Sequence, residues 1–554
     1  MENKETKPNN SERVVKLPII ISLSLAAGLF IGATLFGGQL RLGSLIKGYN
    51  KYKEVLSLIE SSYVDSVDTD TLVDFSIRKM LEKLDPHTSY FSASEATFAR
   101  SPLEAGFDGI GVEFNIYQDT VVVVSPLSGG PSEAAGIQSG DKILKADSIV
   151  LTGPKLNSEL IFKALRGKQG SEVKLSIKRN SQKKPLSFLI KRDRIPSFSV
   201  SAGYLLDAKT GLIKVDRFSE TTFKEFKTTL KSLKNQGMKQ LILDLRGNPG
   251  GYMDRATDMV DEFLEGKKLI VYTDGKGTQY DKKTYSGNQG IFEEGSVVVL
   301  VDEGSASASE IVAGSLQDND RALIVGRRSF GKGLVQMPVN LSDGSEIRLT
   351  ISRYYTPSGR CVQKPYTLGD EEGYEKDYEA RLKSGEFFNA DSIHNNKNQK
   401  FKTAKGRIVY GGGGVTPDVF VSRDTSYYSP MLYDIWGRST IRTYAMEFVK
   451  NNKATLNNYN FGSFAKGFEI TEKMYADLLN MAKKDGVKVT DKDQNLSKKY
   501  IQLQAKASIA RYHFQKRTNE NGLNNEYNQI MGSADEVIKK AQGQFEAARL
   551  LAEK

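Results

Sequence analysis

Apolar and polar residues follow four different patterns along this chain. The run PIIISLSLAAGLFIGATLFGG, residues 18–38, contains no charge at all. That length spans a hydrocarbon core of about 30 Å as a helix. From 49 to 85, Val55, Leu56 and Ile59, then Leu72, Phe75, Ile77, Met80 and Leu81, recur at helical spacing. Asp68 and Asp70 stand where they would cap the second of these helices. DPHTSYFSASE (85–95) closes the region with turn-forming residues. Over 104–193 the pattern shifts to short β runs punctuated by Gly, Pro and Ser. One helix, LNSELIFKALRG (156–167), precedes two strands around a polar turn, EVKLSIKRN and LSFLIKRD.

From 196 to 350 strands and helices alternate. LILDLRG (241–247), VVVLVD (297–302) and ALIVG (322–326) are continuous apolar runs, which predicts strands buried on both faces of a sheet. LIKVDRF (212–218) reads as a further strand, and SETTFKEFKTTLKSLKNQ (219–236) is a helix with Phe223, Phe226, Leu230 and Leu233 on one face. This is an α/β domain. Residues 364–409 are polar and charged, an insertion in a β region, and from about 425 the chain turns helical and reads as a solvated packing domain. The domain boundaries predicted are 1–45, 46–103, 104–195, 196–424 and 425–554.

With 554 residues, 39% hydrophobic and 26% charged, the chain is an ordinary folded protein of several domains. Its net charge of +11 is spread among acids, without a basic block interleaved with aromatics, so no nucleic-acid partner is expected. The charge reads as a solvated surface suited to an anionic envelope. A single cysteine, Cys361, excludes an intramolecular disulfide. Three histidines, His87, His394 and His513, lie far apart in sequence, so neither a metal nor a cofactor is expected. Lys4, Lys7, Arg13 and Lys16 precede the 18–38 run, and no clean A-x-A cleavage site ends it. An uncleaved membrane anchor is therefore favoured over a signal peptide, with the bulk of the chain outside the cytoplasm.

GRRSFGKG (326–333) has the glycine and lysine spacing of a phosphate-binding loop, but Gly333 stands where the magnesium-holding hydroxyl belongs. The residues after it, LVQMPVNLSDGSEIRL, look like strands rather than a helix facing phosphate. LILDL precedes this loop instead of following it. The phosphate reading thus fails on three counts, which leaves an ATPase a distant third reading that nucleotide binding would test. Upstream, VDEGSASASEIVAGSLQDND (301–320) carries a buried strand through small residues into a helix, which exposes a serine hydroxyl beside backbone amides. Such a serine needs a base, and histidine is nearly missing from this region. Lys332 sits after the next strand, near the same sheet edge. LRGNPGGYMD (245–254) adds a glycine-rich turn whose Gly250 and Gly251 can present amides to an oxyanion.

Together LDPHTSYF, FDGIGVEF with PSEAAGIQSGD, LDLRGNPGG, GSASASEI, SFGKGLVQ, YYTPSGR and GVTPDV resemble the carboxyl-terminal processing peptidases, tail-specific serine proteases with a Ser–Lys dyad. The resemblance covers residues 50 to about 424. It implies a PDZ-like β module and a crotonase-like α/β protease core; with the anchor helix, the N-terminal helical region and the helical C-terminal region read from the patterning, the fold expected is a multidomain α/β and β chain. It also implies Ser307 as nucleophile, Lys332 as general base and Gln336 as the residue that orients it. Ala308 and Gly250 or Gly251 are the implied oxyanion amides, with Ser305 and Ser309 structural.

The 104–193 module is similar to a PDZ domain, which captures a C-terminal carboxylate by strand addition. Gly109, Ile110, Gly111 and Val112 form the implied carboxylate loop, and Arg166 in LRGKQG is the gating candidate that links the module to the protease domain. The implied partners are proteins with free apolar C-termini, and the sequence leaves open whether an adaptor protein or further copies of the chain take part. The alternative from another class is a catalytically silent PDZ scaffold that only binds tails.

Overall fold

The computed structural model describes Ser22 and residues 42–553, except 128, 180 and 515–521. The 18–38 run thus lies, but for Ser22, outside the described residues. No described helix is long and apolar enough to cross a membrane. The chain divides into two compact units, Met1–Ile77 and Arg78–Lys554.

The first unit holds helix α1 (Leu42–Ser62) and most of α2 (Thr69–Leu81). Asp68 caps α2, its Oδ1 accepting the amides of Asp70 at 3.1 Å and Thr71 at 3.4 Å. Asp70 is inside the first turn rather than at the cap.

The predicted 46–103 region is mainly helical but also contains a short strand. In the second unit, strand β1 (Ser89–Phe91) and helix α3 (Ala93–Arg100) follow α2, and β1 pairs with a strand far downstream. The strand-rich module then runs β2 (Gly106–Gly109), β3 (Val112–Tyr117), β4 (Thr120–Pro126), β5 (Lys142–Ala146), β6 (Ile149–Val150), α4 (Ser158–Leu165), β7 (Glu172–Lys178), β8 (Leu186–Lys191) and β9 (Asp193–Pro196). Its antiparallel sheet has the order β3-β4-β5-β7-β8 with β6 on β5, and β2 pairs β9 where the chain enters and leaves. Val173, Leu175 and Ile177 alternate into its core opposite Ile161 and Leu165 of α4, as a half-buried strand and an amphipathic helix should.

The α/β core contains β10 (Val200–Leu205), β11 (Thr210–Val215), α5 (Thr222–Asn235), β12 (Gln240–Asp244), α6 (Met253–Asp261), β13 (Leu269–Gly275), β14 (Lys282–Tyr285), β15 (Ser296–Val301), α7 (Ala308–Asp318), β16 (Leu323–Gly326), β17 (Leu334–Asn340) and β18 (Glu346–Tyr355). The insertion supplies α8 (Glu371–Glu375), α9 (Asp377–Lys383) and a β19 (Lys400–Lys402)–β20 (Ile408–Tyr410) hairpin before β21 (Val419–Phe420). The main sheet has the order β10-β11-β12-β15-β16-β21, parallel except for β10. Antiparallel β1-β18-β13-β14, with β17 on β18, makes a second sheet.

Residue parity explains the apolar runs. Leu241, Leu243, Val297, Val299 and Val301 face helices α5, α6 and α7, while Ile242, Val298 and Leu300 face the opposite side. That second face is covered by Val537, Ile538, Ala541, Phe545 and Ala548 from α15 (Glu536–Gln542) and α16 (Phe545–Glu553). These last two helices are therefore a layer of the α/β core, which corrects their reading as part of a separate solvated packing domain. Between them and β21 lie α10 (Pro430–Gly437), α11 (Thr440–Asn451), α12 (Glu472–Lys484), α13 (Asp491–Phe514) and α14 (Asn525–Gly532), several of which share a separate core around Leu432, Leu478 and Ile509.

Candidate active site

The main sheet delivers two loops to one end. Strand β12 runs into 245–252 and β15 into 302–307, which then starts α7. Asn248, fully buried, joins them: its carbonyl oxygen accepts the Ala306 amide at 3.0 Å and the Ser309 hydroxyl at 2.9 Å. Ser305 Oγ donates to the Leu245 carbonyl at 2.8 Å. The two serines flanking Ser307 thus have their hydroxyls committed to the neighbouring loop, as their structural assignment requires.

Ser307 is half-buried between buried neighbours and has φ +54° and ψ −112°. A β-carbon is uncommon at positive φ, and such strain persists only where the surroundings enforce it. Here α7, buried along its whole length, holds the turn from one side. Gly250 closes it from the other. At φ +99°, a β-carbon on Gly250 would stand 2.7 Å from the Ala306 oxygen and 2.8 Å from Ser307 Cβ.

The GRRSFGKG stretch connects β16 to β17, so a strand rather than a helix follows it and the phosphate geometry is missing. Lys332 Nζ donates to Gln336 Oε1 at 2.9 Å. Gln336 Nε2 in turn donates to the His87 carbonyl. Among the described residues, no hydrogen bond joins Lys332 Nζ to Ser307 Oγ. Burial pushes the Lys332 ammonium below the ordinary lysine range, while Asp85 and Glu310 push it back. Burial and the Lys332 charge lower His87 to about 4, so its ring is neutral at pH 7.

Three residues that sequence reasoning missed tie the loops together. Glu310, 0% exposed, accepts the Ser307 and Lys332 amides on Oε2 at 2.9 and 2.8 Å. Its Oε1 accepts the Gly331 amide at 2.7 Å and the Ser329 hydroxyl at 2.5 Å. Burial raises this carboxyl. The four groups are all donors, three of them amides that cannot accept, so the site is shaped for the carboxylate. The Tyr354 hydroxyl faces the carbonyls of Ser307 (3.1 Å) and Lys332 (2.7 Å). The third is His87, through its carbonyl. Only Glu310 carried a signal, the Ser-x-x-Glu pattern of a helix start.

Of the two glycine amides proposed for an oxyanion, Gly250 donates to Asn248 Oδ1 at 2.9 Å. Gly251 and Ala308 donate to no other group among the described residues, and Ala308, as the first residue of α7, has no acceptor inside the helix.

In the strand-rich module β3 is an edge strand, and Gly109–Val112 leads into it with Gly111 at φ +71°. Phe114 of β3 lies 5.5 Å from Phe162 of α4, ring centre to ring centre, and Phe98 of α3 lies 4.3 Å from Phe162. Arg166 pairs its backbone with Gly109 and rests over Phe107 and Phe162. Its Nη1 donates to Ser101 Oγ at 2.5 Å, which links the module to the segment after α3. Behind β3, Arg442 and Asp434 of the C-terminal helices bond Glu113 and Tyr117.

Residues 209–379 match the model of peptidase family S41, and 109–190 match the PDZ domain. Residues 431–515 match a family of unknown function, DUF8443. The chain is 37% identical over 318 residues to a carboxy-terminal-processing protease of Bartonella bacilliformis, covering 56% of this chain and 72% of that protein. With the carboxy-terminal processing protease CtpA of Bacillus subtilis the identity is 33% over 359 residues, 64% and 76% of the two chains.

The chain belongs to peptidase family S41.

As an S41 peptidase it is a serine-type enzyme carrying a PDZ domain. Among solved structures, the photosystem II D1 C-terminal processing protease is similar at 24% identity and a TM-score of 0.36, over 70% of this S41 chain and 90% of that one.

Proposed function

We propose that this chain is an endopeptidase that holds a protein's free apolar C-terminus in its PDZ domain and cuts a nearby peptide bond with Ser307 and Lys332. The observation that carries the reading is the shared anchorage of both residues on Glu310, with Lys332 Nζ held by Gln336. Neutral Lys332 takes the Ser307 proton as Oγ attacks the carbonyl carbon. The Gly251 and Ala308 amides receive the oxyanion, the role of preorganised donors in a site that excludes water. The lysine proton passes to the leaving amine, and water, deprotonated by the same lysine, releases the acyl group. Approach of Nζ to Oγ accompanies substrate binding, since catalytic hydrogen bonds tighten in the bound complex.

Edge strand β3 and the loop Gly109–Val112 support tail capture by strand addition. Arg166 joins that loop to Ser101, the placement expected of a residue coupling tail occupancy to the protease. The uncharged 18–38 run supports membrane anchoring, with the catalytic unit outside the cytoplasm. Resistance of the full chain to carbonate extraction, and its digestion by external protease in spheroplasts, test that placement.

Intact-mass analysis of a reporter with an apolar C-terminus tests the chemistry. Cleavage by the native protein that disappears in Ser307→Ala and in Lys332→Ala supports the dyad. Tail binding without cleavage in native and Ser307→Ala proteins alike establishes the scaffold reading instead.

A further inference from the structure

The 364–409 insertion sends one tyrosine into the active-site wall. Tyr374 of α8 is 7% exposed, and its hydroxyl lies 2.9 Å from His87 Nε2 and 3.5 Å from Gln363 Nε2. Both contacts lead to the lysine loop. Gln363 Oε1 accepts the Gly333 amide at 2.8 Å, and the His87 carbonyl accepts Gln336 Nε2. The Tyr374 ring meets His87 edge-on at 5.1 Å and Phe330 at 6.2 Å, and the Lys364 ammonium sits 4.0 Å from its centre. A second insertion residue braces the same loop: Arg381 donates to the carbonyls of Arg328 at 2.7 Å and Ser329 at 3.1 Å.

An amide side chain has one accepting and one donating end. With Gln336 Nε2 committed to the His87 carbonyl, Oε1 must face Lys332 Nζ. A neutral lysine then uses an N–H on Gln336 and keeps its lone pair for the serine hydroxyl. The reversed amide would donate to that lone pair and remove the base. Which way Gln336 points is therefore a catalytic matter, settled by the position of the His87 carbonyl.

We propose that Tyr374 is a positioning residue for the Lys332 base, holding the His87 segment and Gln363 so that Gln336 presents its oxygen to the lysine. The inference rests on Lys332 being the base. Three charged groups face Lys332, namely Asp85 beside His87, Arg348 on β18 and Glu310 on α7, and the titratable His87 ring, which Lys364 also faces, is neutral at pH 7. Replacing the Tyr374 hydroxyl removes none of the three charges; it takes away the partner of the His87 ring.

The test compares Tyr374→Phe, Gln336→Ala and the double variant in the full chain, by steady-state cleavage of a tail-bearing reporter across pH. Tyr374→Phe keeps the ring contacts and loses only the hydroxyl. Its kcat is expected to fall about five- to tenfold, the effect of one lost hydrogen bond, with KM unchanged. The acid limb of its pH profile moves to lower pH, because the ammonium loses a fixed acceptor. The double variant should lose little more than Gln336→Ala alone, since the shorter contact of Tyr374, to His87, acts through Gln336. Native kcat and an unmoved limb in Tyr374→Phe, or losses that multiply in the double variant, overturn the proposal. Lys332→Ala is run beside them: activity surviving there defeats the base assignment itself, whereas an inactive Lys332→Ala with a native-like Tyr374→Phe defeats only the role of the tyrosine.

Discussion

The main chains of Ser307 and Lys332, 25 residues apart in sequence, meet on one oxygen: both amides donate to Glu310 Oε2, at 2.9 and 2.8 Å. The serine turn and the lysine loop are consequently one hydrogen-bonded unit. A shift in either carries the other with it.

Glu310→Gln is the direct probe of that unit. An amide offers one accepting atom to four donors and turns its own N–H₂ against two of them. The buried mismatch should cost roughly 3 kcal/mol of stability, and misplacement of the two reacting groups about 100-fold in kcat. Thermal unfolding and single-turnover cleavage measure the two losses separately. A variant with native stability and native kcat contradicts the bridging role.

Lys332 gives the pH dependence a definite sign. Only the neutral amine accepts the serine proton, so kcat/KM should rise with pH through a limb below the ordinary lysine value of 10.5, in the direction burial shifts it. Stability follows the same group. The unfolded chain binds this proton more tightly than the folded one, so folding stability increases as pH rises from the folded to the unfolded pKa. At neutral pH, Lys332→Met should therefore raise stability while abolishing cleavage, a trade common at active sites. Unfolding midpoints at pH 7 and pH 10 for both proteins give the comparison, and the gap should narrow at the higher pH.

Gly250→Ala places a β-carbon at positive φ against the Ala306 oxygen, Ser307 Cβ and the Ala308 nitrogen, 2.7 to 2.9 Å away. None of these belongs to a flexible side chain that could move aside. We expect a loss of at least roughly 2 kcal/mol in stability and about 100-fold or more in kcat, since the displaced atoms are the nucleophile's own turn. Chemical denaturation, read together with labelling by a serine-directed fluorophosphonate, separates these effects.

Arg360 tests the support beneath the site. Its guanidinium pairs with Asp318, the last residue of α7, at 2.8 Å with both side chains 0% exposed, and it also donates to Gln317 Oε1 at 2.7 Å. Removing one partner of a buried pair leaves the other uncompensated. Arg360→Ala should lose about 3–5 kcal/mol, and the double variant with Asp318→Ala should recover part of that loss. Additive losses in the unfolding curves would contradict the pairing.

Much of the catalytic architecture was legible before any fold was known, for a local reason. LILDL and VVVLVD are too short and too uniformly apolar for a surface element, and the loops after them are rich in glycine and serine, so strands ending in tight turns follow from the chain itself. The roles of Ser305 and Ser309 also agree with their assignment, since both hydroxyls reach the adjacent loop. The flanking glycines of Lys332 likewise signalled a closely packed loop, and Gly331 and Gly333 are both buried.

What the sequence determined by itself is periodicity and turn chemistry: where strands run, where helices start and which residues stand at sheet ends. The tertiary structure alone decided the partners. Glu310 became the bridge because α7 and the β16–β17 loop converge on it, and His87 reached Gln336 because β1 pairs with β18, more than 250 residues away. The last helices cover the second sheet face, though their pattern reads only as amphipathic. Hydrophobic patterning states that a face must be buried but not against what, and a hydrogen-bond donor's acceptor is chosen by chain segments that meet only after folding.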